Sequence, residues 1–300
     1  MPRAPRSLLW VLGLNSVRGF HVLTTTLDGL WALQVLTGIE VLAPELGLRP
    51  VLPSVESKQS ALDHPVAAEL LEAGVIDEHG DVDPAVVEWL TVLSRRDVAL
   101  YMQARTPAGG AVPAMVTLAR FAQWWVTLER TDYLVRLSGA GTASAESAAS
   151  QVITSQVDRL CGTSKPAPLK PVTIPVDKLL ESVRDKDSLR KFLMSSVQLD
   201  PDQMQLLMLA ADPEQSAQAS IVALQTGVNT GGPARVHLEK SVVTIIDTPE
   251  GRLVAEHVPQ QGKAWMIMSP GSPSNIATAV NQMVRRLPAQ QDWFSHRKVV

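Results

Sequence analysis

The feature that most constrains this chain is that it can be read twice. Leu27-Asp28-Gly29-Leu30 opens an apolar-periodic run, and Val176-Asp177-Lys178-Leu179-Leu180 opens another. In both places the aspartate is expected as a helix N-cap, where its carboxylate accepts from backbone N–H groups that lack intrahelical partners. Val82-Asp83-Pro84 leading to Glu88-Trp89-Leu90 is echoed by Leu199-Asp200-Pro201 leading to Leu206-Leu207. Here too aspartate caps, and proline occupies the first turn, where its missing N–H costs nothing. β-type sequence follows each helix, at Val98 to Met102, Met115 to Arg120, Trp124 to Glu129 and Leu134 to Leu137, then again at Ser220 to Leu224, Val242 to Asp247, Arg252 to Val258 and Trp265 to Ser269. Each set ends in a Gly/Ser turn, Ser138 to Gly141 or Ser269 to Pro273, before a closing apolar helix.

Two copies of an antiparallel meander can join into one sheet and so cover edges that each would otherwise leave open. The expected architecture is therefore α+β: two quasi-symmetric halves, a central, mostly antiparallel β-sheet and two flanking α-helical bundles. The proline-rich stretch Gly162 to Pro171 marks the seam, dividing a first half over 22–162 from a second over 172–300, with 163–171 as linker. Thr106 to Pro113 and Gly227 to Pro233 are corresponding strand connections and read as loops rather than linkers. Residues 1–21 carry Arg3 and Arg6 ahead of Leu8 to Leu14, which imitates a signal peptide. The apolar run is short and no small-residue cleavage site follows, so an extension or upstream translation start is the expectation.

Composition excludes more than it offers. Lys+Arg 27 against Asp+Glu 30 leaves a net charge of −3, so no basic field draws the chain to nucleic acid. No apolar run reaches the length a membrane helix requires. The single cysteine, Cys161, forms no intramolecular disulfide and points to a reducing compartment, with cytoplasm as the default. The six histidines are scattered without an i, i+4 pair, and no phosphate-binding glycine loop or nucleophile elbow occurs. No metal, cofactor, small-molecule substrate or catalytic residue is expected. Trp124 and Trp125 are adjacent on an expected strand, which sends one to each face.

Leu23-Thr24-Thr25-Thr26-Leu27-Asp28-Gly29-Leu30-Trp31-Ala32-Leu33-Gln34, followed by Ala43-Pro44-Glu45-Leu46-Gly47-Leu48-Arg49-Pro50, resembles the opening of the EspG family of mycobacterial type VII (ESX) secretion-associated proteins. Asp83-Pro84, Arg95-Arg96-Asp97, Ile246-Asp247-Thr248, Gly251-Arg252, Ser269 to Pro273, Leu287-Pro288 and Trp293-Phe294 also look like family positions, and the branch they resemble is that of the second ESX locus. The resemblance implies a cytosolic chaperone that holds the PPE subunit of a PE–PPE heterodimer and keeps it soluble for secretion. It also implies a grip made by the sheet face, the loop joining the family's second and third strands, here Thr106 to Pro113, and the carboxyl-terminal helical bundle. Mapped onto this sequence, those regions give Tyr101, Gln103, Arg105, Thr106, Gly109, Gly110 and Val112, with Met204, Leu207 and Met208 from the second bundle. Strand alternation places Tyr101, Gln103 and Arg105 on one face. Helical spacing groups the other three, a pattern that favours closure of the bundle core over a docking surface. The competing readings are an enzyme with a site between the two halves and a structural subunit that self-associates through sheet edges.

Overall fold

The structure, a computed structural model, describes residues 22–107, 112–196, 199–228, 235–260 and 262–297. The first half runs β1 (Val22–Thr26), α1 (Leu27–Thr37), α2 (Lys58–Leu62), α3 (Pro65–Glu72), α4 (Pro84–Arg95), β2 (Val98–Arg105), β3 (Ala114–Phe121), β4 (Trp124–Thr131), β5 (Leu134–Thr142) and α5 (Glu146–Cys161). The second runs β6 (Val172–Pro175), α6 (Val176–Ser182), α7 (Lys186–Ser196), α8 (Pro201–Ala211), β7 (Ala217–Val228), β8 (Arg235–Leu238), β9 (Val242–Thr248), β10 (Gly251–Gln260), β11 (Lys263–Pro270) and α9 (Pro273–Val284).

All described strands form one sheet in the order β1-β5-β4-β3-β2-β7-β9-β10-β11-β6, with β8 added beside β7. The order reads outward from the β2–β7 pair in the same way on both sides, β8 being the one addition. β1 corresponds to β6, β3 to β9, β4 to β10 and β5 to β11. Every pairing is antiparallel, and the halves meet along eight register pairs from Val98↔Gln225 to Arg105↔Gln218. The repeat is thus a pseudo-two-fold, with each meander lending its inner edge to the other.

Two sequence expectations on capping are corrected. Thr26, not Asp28, caps α1, its hydroxyl accepting from the Gly29 N–H at 3.1 Å. α6 follows Pro175 with no side-chain cap, leaving Asp177 in its first turn. In both cases a short edge strand, β1 or β6, runs straight into the helix, which moves the boundary two residues upstream of the aspartate. The other two caps form as expected. Asp83 accepts from the Ala85 N–H at 2.9 Å, and Asp200 with Gln203 makes a reciprocal capping box.

Strand alternation sorts the core into three clusters. α1 to α4 bury Leu30, Leu33, Leu90 and Leu93 against Ala99, Ala119, Leu128 and Leu137 of the sheet. α6 to α8 bury Leu189, Leu193, Leu206 and Leu207 against Ile246 and Leu253 at the other end of that same face. The closing helices do not join these bundles. α5 and α9 pack on the opposite face, over Leu100, Met102, Ile221 and Ala223, because Ile153, Val157, Ile276, Val280 and Val284 form stripes at helical spacing that match the even-numbered residues of β2. The expected linker is drawn into the fold: Ala167 and Leu169 are buried in the α6–α8 cluster, and Pro166 bridges Arg252.

Candidate protein-docking face

Since the two bundles cover only the ends of one face, the strands at its middle are left with a partly open strip. Leu100 and Met102 point into the core, so Tyr101, Gln103 and Arg105 point the other way. Antiparallel register sets Val222 beside Tyr101, Ser220 beside Gln103 and Gln218 beside Arg105. Gln103 and Arg105 are exposed; Tyr101, Gln218, Ser220 and Val222 are half-buried. The Ser220 hydroxyl lies 3.2 Å from that of Thr244 on β9, and Gln218 donates to the Ala210 carbonyl at 3.1 Å, joining the strip to the end of α8.

The opposite wall is fixed by Glu45, in the short 3-10 helix Pro44–Leu46. Both oxygens of its carboxylate accept from the Arg96 guanidinium, at 2.9 and 2.8 Å, and one also accepts from the Thr117 hydroxyl at 2.8 Å. Thr117 is the cross-strand neighbour of Tyr101. Burial, and secondarily the Glu45 carboxylate, raise the Tyr101 phenol above its ordinary value, so it stays a neutral hydrogen-bonding ring at physiological pH.

The expected site residues fall into three groups. Tyr101, Gln103 and Arg105 do share the open face, and Thr106 and Val112 are exposed on either side of the loop above it. Gly109 and Gly110 lie outside the described residues. Met204 and Met208 are half-buried against the α6–α8 cluster, while Leu207 is 4% exposed inside it. Leu207 therefore serves the bundle core and presents no surface. Ser220, Gln218, Val222 and Thr244 complete the strip and were missed, because only the pairing of the two halves places them beside β2. The alternation Ser220-Ile221-Val222-Ala223 was the available signal. The floor of the strip is largely polar, with Gln103, Gln218, Ser220 and Thr244 along it.

Trp125 packs under the closing helices, edge-on to Trp293 at 6.5 Å, whereas Trp124 is 43% exposed. With Trp89 it walls a separate apolar groove of about 240 Å³ between α4 and the ends of β4 and β5. Burial pushes the Cys161 thiol up to about 11, the reverse of what an activated nucleophile needs. Among the described residues no three or more His, Cys, Asp or Glu side chains converge as a metal site, and no helix is long and apolar enough to cross a membrane.

The model of the EspG family matches residues 26–282. The chain belongs to the EspG family. It is 50% identical over 279 residues to the ESX-2 secretion-associated protein EspG2 of Mycobacterium tuberculosis H37Rv, covering 93% of this chain and 100% of that protein. Identity to the ESX-5 secretion-associated EspG5 of Mycobacterium marinum is 26%, covering 92% and 97%, and to the ESX-3 secretion-associated EspG3 of Mycolicibacterium smegmatis 27%, covering 92% and 90%. The margin supports the second-locus branch. Among solved structures, the Mycobacterium tuberculosis type VII secretion chaperone EspG5, in complex with a PE25–PPE41 dimer, superposes with a TM-score of 0.70 at 21% identity, covering 92% of this chain and 100% of that one.

The fold accounts for several EspG-like motifs without chemistry. Arg252 grips Asp247 at 2.6 and 2.7 Å and donates to the Cys161 and Gly162 carbonyls, at 2.6 and 2.8 Å. Gly271 must lack a side chain, since a Cβ there would stand 2.3 Å from Arg252. The motif thus fastens the end of α5 to β9 and β10.

Proposed function

We propose that this EspG protein is a cytoplasmic chaperone that binds the PPE subunit of a PE–PPE heterodimer and keeps the pair soluble for type VII secretion. It works by covering surface, without catalysis. The observation that carries this reading is the open strip on β2 and β7, set between two helical bundles in a fold shared with a chaperone solved on a PE25–PPE41 dimer.

The composition of the strip supports a mode of recognition. Tyr101 offers a rigid aromatic anchor, Gln103, Gln218 and Ser220 offer hydrogen bonds, and Arg105 is a planar cation at the rim. Such a surface suits a helical tip with exposed polar and main-chain groups around an apolar centre. A specific interface takes about 20–30 residues a side, and the strip supplies only the seven named above, so the β2–β3 loop and the exposed flank of the second bundle belong to the proposed contact. Residues 22–162 and 172–300 would then act as one receptor.

Co-expression tests it. A PE–PPE pair of the second ESX locus should be soluble with this chain and elute with it as one complex. If every such pair is equally soluble alone and none co-elutes, the reading fails.

A further inference from the structure

The back of the β2–β7 junction carries a feature the docking face does not explain. After α9 the chain crosses the sheet, and its last described residues bond to both halves. Trp293 is fully buried against Trp125, with its indole N–H 3.2 Å from Glu146 of α5. The Phe294 and His296 carbonyls both accept from the Arg120 guanidinium of β3. The Ala289 N–H donates to the Gln225 side chain at 3.0 Å, and the His296 ring lies 3.0 Å from the Thr226 carbonyl, both on β7. Arg297 stands 3.6 Å from Asp97, whose carbonyl accepts from the Thr226 N–H at 2.9 Å where the junction ends.

We infer that the segment Trp293–Arg297 is a clasp, which locks the first half to the second along β2–β7 and thereby holds the docking strip on the other face in register. The second clause rests on the chaperone reading; the first does not. Arg120 ties the clasp to the first half. Its side chain is fully buried, 3.7 Å from Asp97, and its further partners are the carbonyls of the crossing segment. Releasing that segment takes two carbonyl acceptors from a buried guanidinium and leaves it only the Asp97 carboxylate at 3.7 Å, which favours opening the adjacent pairing to water. Local opening is a two-state event of this kind.

Amide exchange on the free full-length protein tests the clasp. A chain ending at Trp293 should exchange about tenfold faster or more at Leu100 to Gln103 and Ala219 to Ala223, while β4–β5 and β10–β11 keep their rates. In an Arg120→Met, Asp97→Asn background the same truncation should accelerate exchange far less, because no buried guanidinium loses its carbonyl acceptors and no buried carboxylate loses Arg297. If truncation prevents folding, His296→Ala should give the same pattern at about threefold. Unchanged rates at the junction, or equal loosening of all strands, overturn the clasp. Binding of a PE–PPE pair is measured in parallel. A loosened junction with undiminished affinity overturns its link to the docking strip, whereas a wild-type chain that binds no pair defeats the chaperone reading and leaves the exchange result standing.

Discussion

The two faces of β2 differ by one residue of register and by nearly everything else. Val98, Leu100 and Met102 lie under α5 and α9, at 1%, 2% and 5% exposure, while Gln103 and Arg105 on the other side are open to solvent. A strand buried on both faces reads as a continuous apolar run, as β2 does over Val98 to Leu100, where Ala99 is covered by the first bundle; from Tyr101 to Arg105 it alternates, although it sits at the centre of an eleven-stranded sheet. The closing helices took the back, and the two bundles were drawn to the ends of the front by apolar strips on β3 to β5 and on β9 to β11. The difference teaches that the open strip follows from the duplication: a pseudo-two-fold that moves one bundle outward moves its twin outward in the opposite direction.

The sharpest way to break the comparison is to set a buried and an exposed residue on opposite faces of β2 against each other. Leu100→Ala empties a well-packed site and should cost about 3–4 kcal/mol in denaturant unfolding, whereas Gln103→Ala should stay within about 0.5 kcal/mol. Equal costs would mean the faces have been assigned in reverse. Next in size is Glu45→Ala. It leaves Arg96, at 5% exposure, without its carboxylate, and should destabilise by about 2–3 kcal/mol; Glu45→Gln, which keeps the shape and one acceptor, should recover part of that loss. A third test sets one half against the other. Asp83→Ala and Asp200→Ala remove equivalent caps and should each cost about 1 kcal/mol. Asp200→Ala keeps the return bond of its capping box, which the backbone N–H at position 200 donates to the Gln203 side chain, so the two costs should be alike.

Most of this fold was legible because its signals are local. Period-two alternation located the meander strands, and Asp-Pro located α4 and α8. The edge strands β1 and β6 escaped, since Leu23-Thr24-Thr25-Thr26 and Val172-Thr173-Ile174-Pro175 are too short to display a period and gain their structure from pairing with β5 and β11. The same limit governs the candidate site. Tyr101, Gln103 and Arg105 were readable from one strand, but Ser220 and Gln218 become their neighbours only through a pairing 117 and 113 residues away in sequence, which no local rule specifies. Leu207 and the methionines of α8 show the converse. Helical spacing groups side chains on a stripe without stating whether that stripe meets a core or a partner, and for Leu207 the core took it.

The smallest expected change in stability belongs to the residue with the largest expected change in binding. Arg105 is exposed at the end of β2, beside Gln218, and the described residues offer it no ion pair. Arg105→Glu should therefore shift unfolding by less than about 0.5 kcal/mol. If the front of β2 is the docking face, the same substitution should weaken a PE–PPE complex about tenfold or more, a loss of about 1.4 kcal/mol. Because a rim charge acts through the screened field, the affinity gap between wild type and variant should narrow as salt rises, with much of the change in association rate. A gap that is independent of salt would place Arg105 in a desolvated pair at the centre of the contact. Unaltered affinity at every salt concentration would move the docking surface off β2, leaving the strip as bare sheet between two bundles.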